Sequence, residues 1–123
     1  MKIISTEKAP AAIGPYSQAV ISGGVVYTSG QIAIDPSNGA IVAGGIEEQT
    51  ERVCRNVEAL LEAAGTDISK VVKTVCFLAD MSDFAAFNAV YEKHFVSKPA
   101  RSCVAVKTLP KNVLVEIDTV CEL

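Results

Sequence analysis

Three residues near the C-terminus have the types and spacing to do chemistry together: Arg101, Cys103 and Glu116. Arg101 sits in Pro99-Ala100-Arg101-Ser102, at the mouth of an apolar run, Cys103–Thr108. A guanidinium is a planar fork of donors, and its best small-molecule match is a carboxylate. Glu116 lies in the next apolar run, Val113–Asp118, beyond a Leu109-Pro110-Lys111-Asn112 turn. A carboxylate in apolar surroundings is a candidate base or water-orienting group. Beside a cation, Cys103 is a candidate thiolate nucleophile, because nearby positive charge lowers a thiol pKa. The plainer readings are a surface ion pair for Arg101 and Glu116, and packing or a backbone role for Cys103. No histidine stands ready as a partner for that thiol.

Pairing residue 108 with 113 makes the two runs a hairpin. Arg101, Cys103, Ala105 and Glu116 then share one face, since strand side chains alternate. Arg101 and Glu116 remain about 13 Å apart along the backbone, a gap for a ligand or a second subunit. A slip of one residue places them on opposite faces.

Other candidates are single residues. Tyr16, after Gly14-Pro15, either lids a pocket or covers core. Ser29 and Gly30 close a strand, where glycine admits a ligand or another chain close to the backbone, or simply turns. Asn88 is either a polar anchor beside Phe87 and Tyr91 or a solvated residue. His94 reads as a surface histidine favoured by a helix C-terminus.

The elements that must position these groups follow from periodicity. Two β-rich runs, 17–22 and 25–29, flank the Gly23-Gly24 turn. Asp35-Pro36-Ser37-Asn38-Gly39 is a loop. From Ile46 to Ala64 the apolar spacing is helical, with Glu47 and Glu48 in the first turn and Gly65 as the stop. Val71–Leu78 is a strand apolar on both faces. Ser82 or Asp83 caps a second helix carrying Phe84, Phe87, Val90, Tyr91 and Phe95. The expected class is α+β, a mixed sheet with two helices packed on one face. The other sheet face, carrying Val, Ile, Cys and Thr, has no helix left to cover it and points to oligomerisation.

Composition narrows the function. The chain has 123 residues, half hydrophobic and 20% charged, which suits one domain over 1–123. A net charge of −3 and a pI of about 5.1 give no electrostatic reason to expect nucleic acid. No apolar run nears the ~18 residues of a membrane span. Four scattered cysteines (Cys54, Cys76, Cys103, Cys121) read as reduced thiols, hence a cytoplasmic, reducing location, and one histidine rules out a histidine-based metal cluster. Neither a Walker loop nor a G-x-S-x-G elbow occurs, and no cofactor or metal is expected.

Several segments together resemble the Rid (YjgF-like) family. They are Ala11–Ala19 with Gly14-Pro15-Tyr16-Ser17, Tyr27-Thr28-Ser29-Gly30-Gln31-Ile32, Glu48-Gln49-Thr50, Asn56, Ala63-Ala64-Gly65 and Phe87-Asn88-Ala89-Val90-Tyr91. To these is added the stretch from Pro99-Ala100-Arg101-Ser102 to Val115-Glu116-Ile117. The resemblance implies a chorismate-mutase-like fold. It implies a homotrimer with an inner barrel, helices outside and ligand clefts between subunits. Its archetypal subgroup hydrolyses 2-iminobutanoate and 2-iminopropanoate to 2-ketoacids and ammonia, protecting against these products of pyridoxal-phosphate enzymes. Arg101 matches the arginine that marks the active subgroup. On this reading Arg101 holds the substrate carboxylate, and the Cys103 carbonyl and Glu116 direct the hydrolytic water. Tyr16 closes over the ligand, with Ser29, Gly30 and Asn88 as further contacts. The same cleft without turnover would make a ligand-binding or chaperone-like protein; ribonuclease activity, attributed to some members, is weakened by the acidic pI and the single histidine.

Overall fold

A computed structural model describes residues 1–123. Strands β1 (Lys2–Ile4), β2 (Ala19–Ser22) and β3 (Val25–Thr28) are followed by a small hairpin, β4 (Ile34–Asp35) and β5 (Ala40–Ile41). Then come α1 (Ile46–Ala63), β6 (Val71–Leu78), α2 (Phe84–His94), β7 (Ala100–Ala105) and β8 (Val115–Glu122). The main sheet runs β1-β2-β3-β8-β6-β7, antiparallel throughout except for the parallel pair β6–β7.

Local chemistry accounts for most of these boundaries. Gly23 and Gly24 both have positive φ, which the tight β2–β3 turn requires. At the start of α1 the Glu48 carboxylate accepts from the Gly45 N–H at 2.8 Å, and Gly65, at φ +90°, takes the chain out. Asp83 stands at the N-cap position of α2, as expected, but its side chain makes no capping bond; the side chain that caps is Asp80, which accepts from the Ser82 N–H and starts a single 3₁₀ turn that leads into the helix.

Both helices lie on one face of the sheet. Val53, Cys54, Val57 and Leu61 of α1 and Phe87 and Tyr91 of α2 pack against Val26, Cys76, Leu78, Val115, Ile117 and Cys121. The sheet's threonines and cysteines therefore turn toward the helices, with Thr28 and Thr119 hydroxyls 3.0 Å apart beneath them. The uncovered face has a different composition from the one the sequence suggests. It carries Ile3, Tyr27 and Val104, which are 61%, 45% and 47% exposed, around Val75, Phe77, Glu116 and Asp118. No helix is long and apolar enough to cross a membrane.

The expected hairpin between β7 and β8 does not form. β6 lies between them: Phe77 pairs with Glu116 on one side and Val104 on the other. In that register Arg101, beside Thr74, belongs to the helix face, whereas Glu116 belongs to the open face. The two side chains thus leave the sheet in opposite directions. The cause is α2. It links β6 to β7 as a parallel strand–helix–strand unit, so β8 pairs with the far edge of β6.

Candidate functional site

Arg101 is the best-fixed cation of the chain. Its Nη1 donates to Asn88 Oδ1 at 2.8 Å, and its Cζ lies 4.8 Å from the Tyr91 ring centroid. Phe84 and Phe87 stand at 5.4 and 5.9 Å. All four partners come from α2, where positions 84, 87, 88 and 91 form one helical stripe. Asn88 therefore serves Arg101 with the oxygen it was expected to offer a ligand. Arg101 and Tyr91 also line a groove of about 610 Å³, together with Phe95, Val96 and Pro99 and the charged Glu92, Lys93 and Lys98.

Cys103 follows two residues along the same edge strand. Its thiol is pushed up by burial, which outweighs the lowering effect of Arg101, so the thiolate is disfavoured. Its backbone is better placed. Val106 donates to the Leu78 carbonyl, so even-numbered residues of β7 bond to β6. The N–H and C=O of Arg101, Cys103 and Ala105 consequently point off the free edge of the sheet.

Glu116 belongs to a second cleft, of about 550 Å³, lined by Tyr16, Ser29, Gly30, Gln31 and Lys111 among others. Burial raises its carboxyl above the usual range, and Asp118 on the same face adds to the effect. The carboxylate lies directly over Gly30: an added Cβ there would collide with Oε2 and come within 2.9 Å of Cδ. Glycine at position 30 is thus what admits Glu116. The Ser29 hydroxyl donates to the Ser17 carbonyl at 2.6 Å, leaving its oxygen as an acceptor. Tyr16, 53% exposed at the rim, accepts from the Ile13 N–H at 3.2 Å. Lys111, also lining the cleft, holds a φ of 55°.

One chain therefore gathers Tyr16, Ser29, Gly30 and Glu116 in one cleft, and Arg101 borders another, with Asn88 bonded to it and Cys103 on its strand. Two strand spacings and a three-residue offset separate Arg101 from Glu116 by about 14 Å at the backbone. Arg101 does not line the Glu116 cleft, and Glu116 does not line the Arg101 groove.

His94 is not the surface histidine expected. Its Nδ1 and Nε2 lie 2.7 and 2.9 Å from Glu58 and Glu51, and its side chain is 13% exposed. No three His, Cys, Asp or Glu side chains converge as a metal site would require. From the sequence, Phe84, Phe87 and Tyr91 are placed on the second helix and given no part in the site. The available signal was Asn88 on the same stripe as the aromatics, a polar group facing the way they face.

Known proteins resemble the whole chain. Residues 6–123 match the family described as endoribonuclease L-PSP. A RutC family protein of Pyrococcus abyssi is 51% identical, covering 97% of this chain and 94% of its own. The human protein named 2-iminobutanoate/2-iminopropanoate deaminase is 48% identical, over 97% and 88%. The crystal structure of Escherichia coli TdcF with bound serine superposes with a TM-score of 0.94 at 42% identity, over 100% of this chain and 99% of that one.

Proposed function

The chain belongs to the Rid family, described also as endoribonuclease L-PSP, and from that premise we propose that it hydrolyses 2-imino acids to 2-ketoacids and ammonia. The preferred substrates on this reading are 2-iminobutanoate and 2-iminopropanoate, reactive products of pyridoxal-phosphate dehydratases, and the role is protection from them. The observation that carries the proposal is Arg101. It is a clamped cation with free donors at a sheet edge, beside the outward-facing carbonyl of Cys103. A small acid carrying one carboxylate next to an electrophilic carbon fits that pair.

The working unit is a homotrimer. The apolar open face of the sheet supports burial against further copies, and the division of candidates between two clefts supports a site shared by neighbours. In that site Arg101 of one subunit holds the carboxylate bidentately. Glu116 of the next, with Tyr16, Ser29 and Gly30, closes the other side. Water lies between the Cys103 carbonyl and the Glu116 carboxylate. Its oxygen attacks C2 while Glu116 takes its proton and passes it to the imine nitrogen, giving a carbinolamine. Glu116 then takes the hydroxyl proton and delivers it to the nitrogen, so that the C–N bond breaks, the carbonyl forms and ammonia leaves. Orientation and charge stabilisation suffice for so reactive a substrate. Four free thiols support a reducing, cytoplasmic setting.

Ribonuclease chemistry is a weaker reading, because the one histidine is tied between two carboxylates. The deciding measurement is the decay of freshly generated 2-iminopropanoate. Catalytic amounts of the assembled protein should accelerate it. No acceleration by a protein that still binds 2-ketoacids would make this a binding module instead.

A further inference from the structure

We propose that Tyr91 is a positioning residue for Arg101, and that together with Asn88 it sets the guanidinium in its working plane before any ligand arrives. The inference rests on the carboxylate-anchoring reading above. A guanidinium on a flexible stem has two orientational freedoms that matter: the tilt of its plane and rotation within that plane. Stacking on a ring fixes the first and leaves the second free. A single directional hydrogen bond fixes the second. Arg101 has both, the Tyr91 ring nearest at 4.8 Å, with Phe84 and Phe87 farther at 5.4 and 5.9 Å, and Asn88 Oδ1 at 2.8 Å. Of the five N–H donors of an arginine, one is used by Asn88 and four remain.

The ring is itself fixed. Tyr91 is only 7% exposed, and its hydroxyl meets the Thr74 hydroxyl at 2.8 Å. Thr74 is fully buried on β6, directly beside Arg101 in the strand pairing. Strand β6 thus holds the plate on which its neighbour's arginine lies. Phe95 stacks on Tyr91 at 4.3 Å and 22°, which leaves the ring little room to turn. Tyr91 and Arg101 both border the same groove, so a ligand that enters it meets the guanidinium beside the ring. A pre-set fork loses less entropy when it takes a carboxylate.

The experiment has two arms, on the full-length assembled protein. The first uses no substrate: nuclear magnetic resonance of the Arg101 side-chain N–H signals. They should be resolved in the wild type, because rotation about the Nε–Cζ bond is hindered, and averaged in Tyr91→Leu. The second is kinetics with 2-iminobutanoate. Tyr91→Leu should raise KM roughly threefold to thirtyfold, the range of a lost cation–π contact, with kcat nearly held. Tyr91→Phe keeps the ring and should recover most of the loss. If Tyr91→Leu does not fold, Thr74→Val carries the test, freeing the Tyr91 hydroxyl and loosening the ring with a smaller rise in KM. Resolved Arg101 signals and an unchanged KM in Tyr91→Leu, or in Thr74→Val where Tyr91→Leu does not fold, overturn the proposal. A wild type with ordered Arg101 signals but no turnover overturns the functional reading instead, and leaves the positioning role standing.

Discussion

The two clefts differ in what their central group can do. Arg101 presents a fixed fork of donors and is held by four side chains of one helix. Glu116 is held by almost nothing. It rests over a glycine, lifted by burial toward the pH range in which it gains and loses a proton. One region is built to keep a charge still, the other to let a charge change. A hydrolysis on a small acid needs both, and this fold places them on opposite faces of one sheet.

The sharpest way to break the comparison is to remove the fixed charge. Arg101→Ala should lose two charge-assisted bonds to a carboxylate, about 3 kcal/mol or more, or at least 10²-fold in kcat/KM. Arg101→Lys should recover little, since an ammonium has no fork and does not stack as a flat plate. Steady-state kinetics on freshly made imine decides this; near-normal kcat/KM in an assembled Arg101→Ala protein would contradict the anchoring role.

Removing the changeable charge should give a different signature. Glu116→Gln should lower kcat about 10²-fold, at the low end for lost acid–base assistance, while calorimetric binding of 2-oxobutanoate holds. A base works when ionised, so wild-type kcat should climb as pH rises through the raised value of Glu116, above the usual carboxylate range. The climb should vanish in the Gln variant. Cys103→Ala belongs beside it as the contrast, because the carbonyl survives the change.

Gly30→Ala sharpens the point without touching either charge. The new methyl must push the Glu116 carboxylate aside. A displacement near 1 Å should lower kcat by about tenfold or more and leave ketoacid affinity close to normal. Equal losses of kcat and affinity would mean that Gly30 acts mainly through its contact with the ligand rather than through Glu116.

The smallest effect concerns the support of α2, which carries the Arg101 clamp. Burial opposes charging His94, but hydrogen bonds from Glu58 and Glu51 outweigh it, and its pKa is raised. Arg55 also approaches Glu51, at 3.6 Å. A raised histidine stabilises the fold fully below its unfolded value near 6.5 and loses that contribution as pH rises through the folded value. Melting temperature should therefore fall by about a few degrees across that window, and the slope should flatten in His94→Gln. Identical pH dependence in both proteins would remove His94 from the account.

Much of the fold was legible in the sequence. The Gly23-Gly24 turn, the helix from Ile46 and the strand Val71–Leu78 each rest on local signals, namely turn residues, period and flanking stops. The pairing of β7 was not legible in the same way. Leu109–Asn112 is short enough for a hairpin, and chain neighbours usually pair. The contrary signal was a helix between two apolar runs, which calls for a parallel crossover. Candidate residues were found by type, but their grouping was not, because a face assignment inherits any error in strand order. His94 was misread for a related reason: Glu51 and Glu58 lie 43 and 36 residues away, beyond the reach of any local pattern.

The interposed β6 has a consequence at the level of mixed assemblies. If each site takes Arg101 from one copy and Glu116 from the next, damage to the two residues is not inherited by the same sites. Co-expressed Arg101→Ala and Glu116→Gln chains, each inactive alone, would rebuild intact sites wherever the sound halves meet. Complementation between two dead alleles is the expected behaviour of a protein whose sheet order keeps its own halves apart.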